Sequence, residues 1–151
     1  MSIEKAAVMS YDPENIFAKI IRAKAPAHRV YEDDWTVAFM DLMPQADGHT
    51  LIVPKHEARD LLDAEPYVLG KTIQTTQKVA RAVKVAFSAD GVMVAQLSGA
   101  AAGQTVFHLH FHVLPRYDGV DLRFHGKEVA PAEVLAEHAE RVREALRAQS
   151  D

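Results

Sequence analysis

The chain has 151 residues, the length of one domain, and its 48% apolar and 25% charged residues exclude a disordered or fibrous chain. Seventeen basic against 21 acidic residues leave a net charge of −4, which lacks the basic footprint of a nonspecific duplex-DNA binder but allows a phosphorylated ligand in one pocket. The absence of cysteine excludes disulfides, thiolate zinc sites, iron–sulfur clusters and a thiol nucleophile.

Residues 1–12 are expected to form a loose segment, and 13–151 a single domain. The first ten residues carry Glu4 and Lys5 and no long apolar run, so they read as neither a signal peptide nor a membrane span, and the cytoplasm is the expected compartment. Asp12-Pro13 has the signature of a helix start, with Asp as N-cap, and Ile16, Phe17, Ile20 and Ile21 follow as one apolar stripe. Strands are predicted over His28–Glu32, Trp35–Met40 and Thr50–Val53, with a turn through Met43–Gly48 and a stop at Pro54. A short helix is expected over Ala58–Asp63. A long one from Pro66 would bury Leu69, Ile73, Ala80, Val83 and Phe87 on one face. Val92–Leu97 reads as a strand and Ser98–Gly103 as a small-residue loop. Val106–Leu114 is the strongest strand signal, closed by Pro115. Residues 116–129 form a polar loop. Pro131 opens a C-terminal helix with Val134, Leu135, His138, Val142 and Leu146 on one side. Five short strands, a long helix and a C-terminal helix, with tight turns between neighbouring strands, favour an antiparallel α+β sheet.

Eight histidines is the compositional outlier, and four lie between His108 and His125. If Val106–Leu114 is extended, His108, His110 and His112 share one face, roughly 6.5–7 Å apart at alternate Cα atoms. Phe107, Leu109, Phe111 and Val113 then face the core. Three readings stand for such a trio. It is a polar sheet face that happens to use His. It is a metal site drawing further ligands from His49, His56, His125 or carboxylates. Or it is a nucleophilic site, since neutral imidazole forms covalent intermediates with phosphoryl or nucleotidyl groups. The loop just upstream, Gly99 to Gly103 followed by Gln104 and Thr105, offers close backbone approach and neutral donors to phosphate oxygens.

The segment Gln104-Thr105-Val106-Phe107-His108-Leu109-His110-Phe111-His112-Val113-Leu114-Pro115-Arg116 resembles the signature of the histidine triad (HIT) family, His-φ-His-φ-His-φ-φ with φ apolar. Ile16–Arg22, Val30–Asp34 and Phe39–Lys55 are similar to the corresponding family segments, and the resemblance is closest to the bacterial and Hint-like branch. It implies a HIT-like α+β fold, with the sheet continued across a homodimer, and binding of purine nucleotides. It implies hydrolysis or transfer at the α-phosphate of conjugates such as nucleoside phosphoramidates or dinucleoside polyphosphates. Carried over by position, His110 is the nucleophile that forms a nucleotidyl-histidine. His112 and His49 orient around the phosphate, and His108 supports the network. Gln104 and Thr105 hold phosphate oxygens or the leaving group, with Ser98 and Gly103 beside the phosphate. Asp41 binds the ribose, and Ile16, Phe17, Ile20 and Leu42 line the base pocket. His28, His56, His125 and His138 are read as structural or solvated.

No cofactor is required by this scheme, although Mg²⁺ can accompany polyphosphate substrates. Neither nucleic acid nor membrane is an expected partner. A module that binds nucleotide with little turnover, and a zinc hydrolase built on the histidine cluster, are the alternatives. Three departures from the family pattern stand out. Asn15 and Ala18 occupy the places of a Cys-x-x-Cys zinc pair, so structural zinc is not expected. Leu97, with Ser98 beside it, replaces a polar residue. The stretch after Arg116 is variable, and it is the expected place for substrate preference to be set.

Overall fold

The computed structural model describes residues 10–122 and 128–149; residues 1–9 of the expected loose segment, and His125, lie outside them. Helix α1 (Ile16–Ile21) leads into β1 (Arg29–Glu32), β2 (Thr36–Met40) and β3 (Thr50–Pro54). Helix α2 (Pro66–Ala86), β4 (Gly91–Ala95), a 3₁₀ turn at Ala100–Ala102, β5 (Phe111–Arg116) and helix α3 (Ala132–Gln149) complete the order. All strand pairs are antiparallel and the sheet runs β1-β2-β3-β5-β4, so the α+β expectation with five strands holds. No described helix is long and apolar enough to cross a membrane.

Every residue of β2 and β3 is buried, because both faces of the sheet centre are covered. Ala38, Met40, Ile52 and Val113 pack against Val79 and Val83 of α2 and Leu135 and Val142 of α3. On the opposite face Val37, Phe39, Leu51 and Val53 pack against Phe17 and Ile20 of α1. His112 pairs with Leu51, which places its side chain on this second, thinly covered face.

Several elements differ from the sequence expectation, each for a local reason. Helix α1 begins at Ile16, not beside Pro13: Asn15 is its N-cap and accepts from the Ala18 N–H at 2.9 Å, while Asp12 caps the preceding turn through Glu14. Ala58–Asp63 is a set of turns, not a helix. The carboxylates of Asp60 and Asp63 take the N–H groups of Arg59, Asp60 and Leu62, closing local side-chain turns in place of helical ones. The buried face of α2 carries Val68, Thr72, Thr75, Thr76 and Val79, while Ile73 is 47% exposed. An apolar count misses this face because threonine hydroxyls hide their polarity: Thr72 and Thr76 donate to carbonyls one turn back, and Thr75 bonds Thr36. Pro115 does not stop β5, which runs on to Arg116.

Gly48 lets the β2–β3 turn close against the end of α2. Its φ is +88°, and a Cβ placed there would meet the Phe87 ring at 2.7 Å. Gly48→Ala is expected to cost about 1–3 kcal/mol through backbone strain and overlap. Thermal melting checks this, and an unchanged Tm would contradict it.

Candidate active site

The strand expected over Val106–Leu114 is broken at its start, and this break builds the site. The Leu109 N–H donates to the Ala58 carbonyl at 2.8 Å, so the chain crosses to the turn after β3 before β5 begins at Phe111. The three histidines therefore do not lie along one flat face. His108 turns away and is held between Tyr11 and Pro54. His110 and His112 converge, with ring centroids 4.9 Å apart. Of the four residues expected to face the core, Leu109, Phe111 and Val113 are buried; Phe107 is half-exposed under the Arg59 guanidinium, 5.0 Å from its ring centre.

The hydrogen bonds assign a proton to each ring. His110 Nδ1 lies 2.7 Å from the His108 carbonyl, an acceptor, so Nδ1 carries the proton and Nε2 keeps its lone pair. His49 Nδ1 accepts from the Gln45 N–H at 3.1 Å, so its proton sits on Nε2, 3.0 Å from His112 Nδ1. His112 Nδ1 accepts there, which leaves Nε2–H of His112 as a donor. His108 Nε2 donates to the Pro54 carbonyl at 2.8 Å, and its Nδ1 accepts from the Tyr11 hydroxyl at 2.6 Å.

His110 and His112 line a cavity of about 410 Å³. Ile16, Phe17, Ile20, Asp41, Leu42, Gly103 and Thr105, which the resemblance assigns to the site, also line it. The Phe17 ring meets His110 edge-on at 4.8 Å. Gly99 and Gly103, at φ +94° and +105°, flank the 3₁₀ turn of the small-residue loop. Four expected site residues stand elsewhere. His49 is behind His112, 1% exposed. His108 is in its own niche. Gln104 does not reach the cavity. Its Oε1 accepts from Gly99 N–H and its Nε2 donates to the Arg59 and Val106 carbonyls, so its polar atoms clamp the loop. Ser98 is turned away, its hydroxyl bonded to Gln96 and to the Leu61 N–H. Leu97 does face the cavity, as does Gln45, which sequence reasoning missed because it holds His49 through its backbone N–H, a contact with no side-chain signature.

A protein-family model, the HIT domain, matches residues 22–119. The chain belongs to the HIT family. It is similar to a Hit-like protein from Bartonella henselae described as involved in cell-cycle regulation, at 52% identity and TM-score 0.85, covering 90% of this chain and 99% of that one. A hypothetical histidine triad nucleotide-binding protein from Sulfolobus tokodaii shares 29% identity at TM-score 0.82, covering 89% and 93%. A zinc-bound histidine triad family protein from Mycobacterium smegmatis shares 36% at TM-score 0.81, covering 91% and 96%. The adenylylsulfatase HINT3 of Arabidopsis thaliana is 36% identical over 101 residues, 67% of this chain and 51% of that protein.

The zinc-bound relative raises the question of a metal in this HIT domain. Among the described residues, Asp41, His49 and His112 form the group able to surround a cation, with ligand atoms within 4.8 Å of one another. A ligating imidazole must offer a lone pair. His49 Nε2 carries the proton because Nδ1 is taken by Gln45, so the arrangement suits a hydrogen-bond chain better than a zinc site. With Asn15 and Ala18 at the other family position, no thiolate is available either.

Burial sets the charge states. It pushes His49 down to about 3, with the neighbouring His112 and His110 adding to the effect. It pushes His108 and His112 down to about 4, and lowers His110. All four rings are neutral at pH 7. Burial also raises Asp41 to about 6, opposed by the Met43 N–H that its Oδ1 accepts at 2.9 Å. Asp41 is thus both a turn cap and a cavity-lining acceptor. Its 3.5 Å approach to His49 is a contact with a neutral ring, not an ion pair.

These shifts have opposite signs for stability. Imidazoles with depressed folded pKa values stabilise fully above their unfolded value near 6.5, and that contribution is lost as pH falls. Asp41, raised from 3.8 to about 6, contributes in the reverse sense, regaining stability over that window. Four imidazoles outweigh one carboxylate, so Tm should fall steadily from pH 7 to pH 5. A flat or rising profile in a thermal-shift series would contradict the assigned charge states.

Proposed function

We propose that this HIT domain hydrolyses nucleotide conjugates at the α-phosphate, with His110 as nucleophile. The observation that carries the reading is the bond from His110 Nδ1–H to the His108 carbonyl, which leaves the Nε2 lone pair available in the cavity. The apolar wall of Ile16, Phe17, Ile20 and Leu42 suits a purine, and Asp41 suits ribose hydroxyls. Relatives that include a hypothetical histidine triad nucleotide-binding protein and an adenylylsulfatase support the same substrate class.

In the proposed reaction Nε2 of neutral His110 attacks phosphorus in line. The bond from phosphorus to the leaving group breaks, and the leaving group takes a proton from solvent, directly or relayed through the Thr105 hydroxyl, which regains a proton from solvent. The phosphorylated imidazole becomes cationic, and its Nδ1–H bond to the His108 carbonyl strengthens as that charge develops. His112 Nε2–H donates to a phosphate oxygen. Water then attacks phosphorus, a proton is released, and His110 returns to its neutral form. No step draws on a metal, so full turnover in excess chelator is expected. Loss of activity on chelation, with bound zinc found by metal analysis, would favour a zinc hydrolase instead.

Steady-state assays with adenosine phosphoramidate, dinucleoside polyphosphate, nucleotide sugar and adenylyl sulfate, in wild type and His110→Ala, test the reading. His110→Ala should lower kcat by at least about 10³-fold while nucleotide still binds. Near-normal turnover in His110→Ala refutes it. Binding without turnover in the wild type would identify a nucleotide-binding module.

A homodimer in the cytoplasm completes the proposal. Strand β4 is a sheet edge, and Val94 (45% exposed) and Ile73 (47%) line an apolar groove of about 400 Å³ beside it. Pairing two β4 edges would continue the sheet and cover this face. Val94→Lys should shift the wild-type dimer to monomer in light scattering, and a monomeric wild type would contradict the pairing.

A further inference from the structure

We infer that Tyr11 is a positioning residue of the active site: its hydroxyl, bonded to His108, holds the residue whose carbonyl aims His110. The inference rests on the reading of His110 as nucleophile.

Tyr11 lies ahead of α1, in a stretch where sequence gives no reason to expect a functional group. It is half-buried, and its ring meets the His108 ring edge-on at 5.6 Å between centroids. A phenylalanine would serve that packing equally well; the hydroxyl does something further. His108 is 1% exposed, with Nε2–H committed to Pro54, so its Nδ1 has no access to bulk water. The Tyr11 O–H at 2.6 Å satisfies that nitrogen and selects the tautomer that can donate to Pro54. The same residue's carbonyl receives His110 Nδ1–H. Ring and carbonyl belong to one short irregular segment, so freeing the ring loosens the acceptor that sets the nucleophile's direction.

The arm carrying Tyr11 is itself tied down. Asn15 bonds the Asp12 carbonyl through both its backbone N–H (3.3 Å) and its side chain (2.7 Å). Two residues on, Phe17 packs against the His110 ring. One continuous stretch, Tyr11 to Phe17, thus holds His108 at one end and His110 at the other.

Tyr11→Phe removes the hydroxyl and keeps the ring. With adenosine phosphoramidate, kcat should fall roughly ten- to a hundredfold while KM stays within about twofold, since Tyr11 does not line the cavity. The second measurement needs no substrate: long-range ¹⁵N–¹H correlation of the imidazoles in the ligand-free protein. Wild type should show His108 protonated only at Nε2 and His110 only at Nδ1; Tyr11→Phe should show mixed His108 tautomers and a shifted His110 Nδ1. An unchanged kcat in an active protein overturns the inference, and so do unchanged imidazole spectra. A wild-type protein without turnover counts against the nucleophile reading, and the spectra then decide the role of Tyr11 alone.

Discussion

A neutral imidazole has one proton for two nitrogens, and where that proton is held decides what the ring can do. At His110 it is held by the backbone carbonyl of His108, 2.7 Å from Nδ1. The other nitrogen is then a lone pair by necessity. The rest of the site follows from keeping this arrangement in place. The Leu109–Ala58 bond bends the chain so that the carbonyl two residues back can reach the ring. The edge of Phe17 limits how the ring can tilt. Burial favours the uncharged ring, so Nε2 keeps its lone pair.

The surrounding polar groups behave as a connected network, not as independent contacts. No buried side-chain nitrogen or oxygen among the described residues lacks a hydrogen-bond partner. Gln45, His49 and His112 form one directed chain, and Tyr11, His108 and Pro54 form another. The first chain ends in a donor at His112 and the second at the Pro54 carbonyl, while the His108 backbone carbonyl fixes the lone pair at His110. A site whose donor and acceptor are set before the ligand arrives needs little reorganisation during reaction. The loop above is fixed in the same manner by Gln104, whose amide bridges three backbone segments.

The sequence announced the side chains around the cavity more clearly than their geometry. Alternation in Val106–Leu114 identified the histidines and most of the core residues between them, because side-chain type records which environment a residue prefers. It could not record that Leu109 pairs with Ala58, since backbone hydrogen bonds carry no side-chain signature. Gln104 and Ser98 look like phosphate ligands for the same reason: amide and hydroxyl chemistry suits a phosphate or a loop clamp equally. On α2 the apolar stripe pointed partly to the wrong face, because buried threonines satisfy themselves within the helix. Asp41 was legible as both a turn cap and an acceptor, and it is placed to be both. Tyr11 was illegible, since a lone tyrosine before a helix has no spacing to compare.

The central claim concerns one nitrogen, and the most direct measurement is to trap what forms on it. Protein mixed with a purine nucleoside phosphoramidate and quenched within a turnover should carry a single nucleotidyl group, located on the His110 imidazole by tandem mass spectrometry. The same group found on another side chain, or continuing turnover with no adduct at His110, would contradict the account.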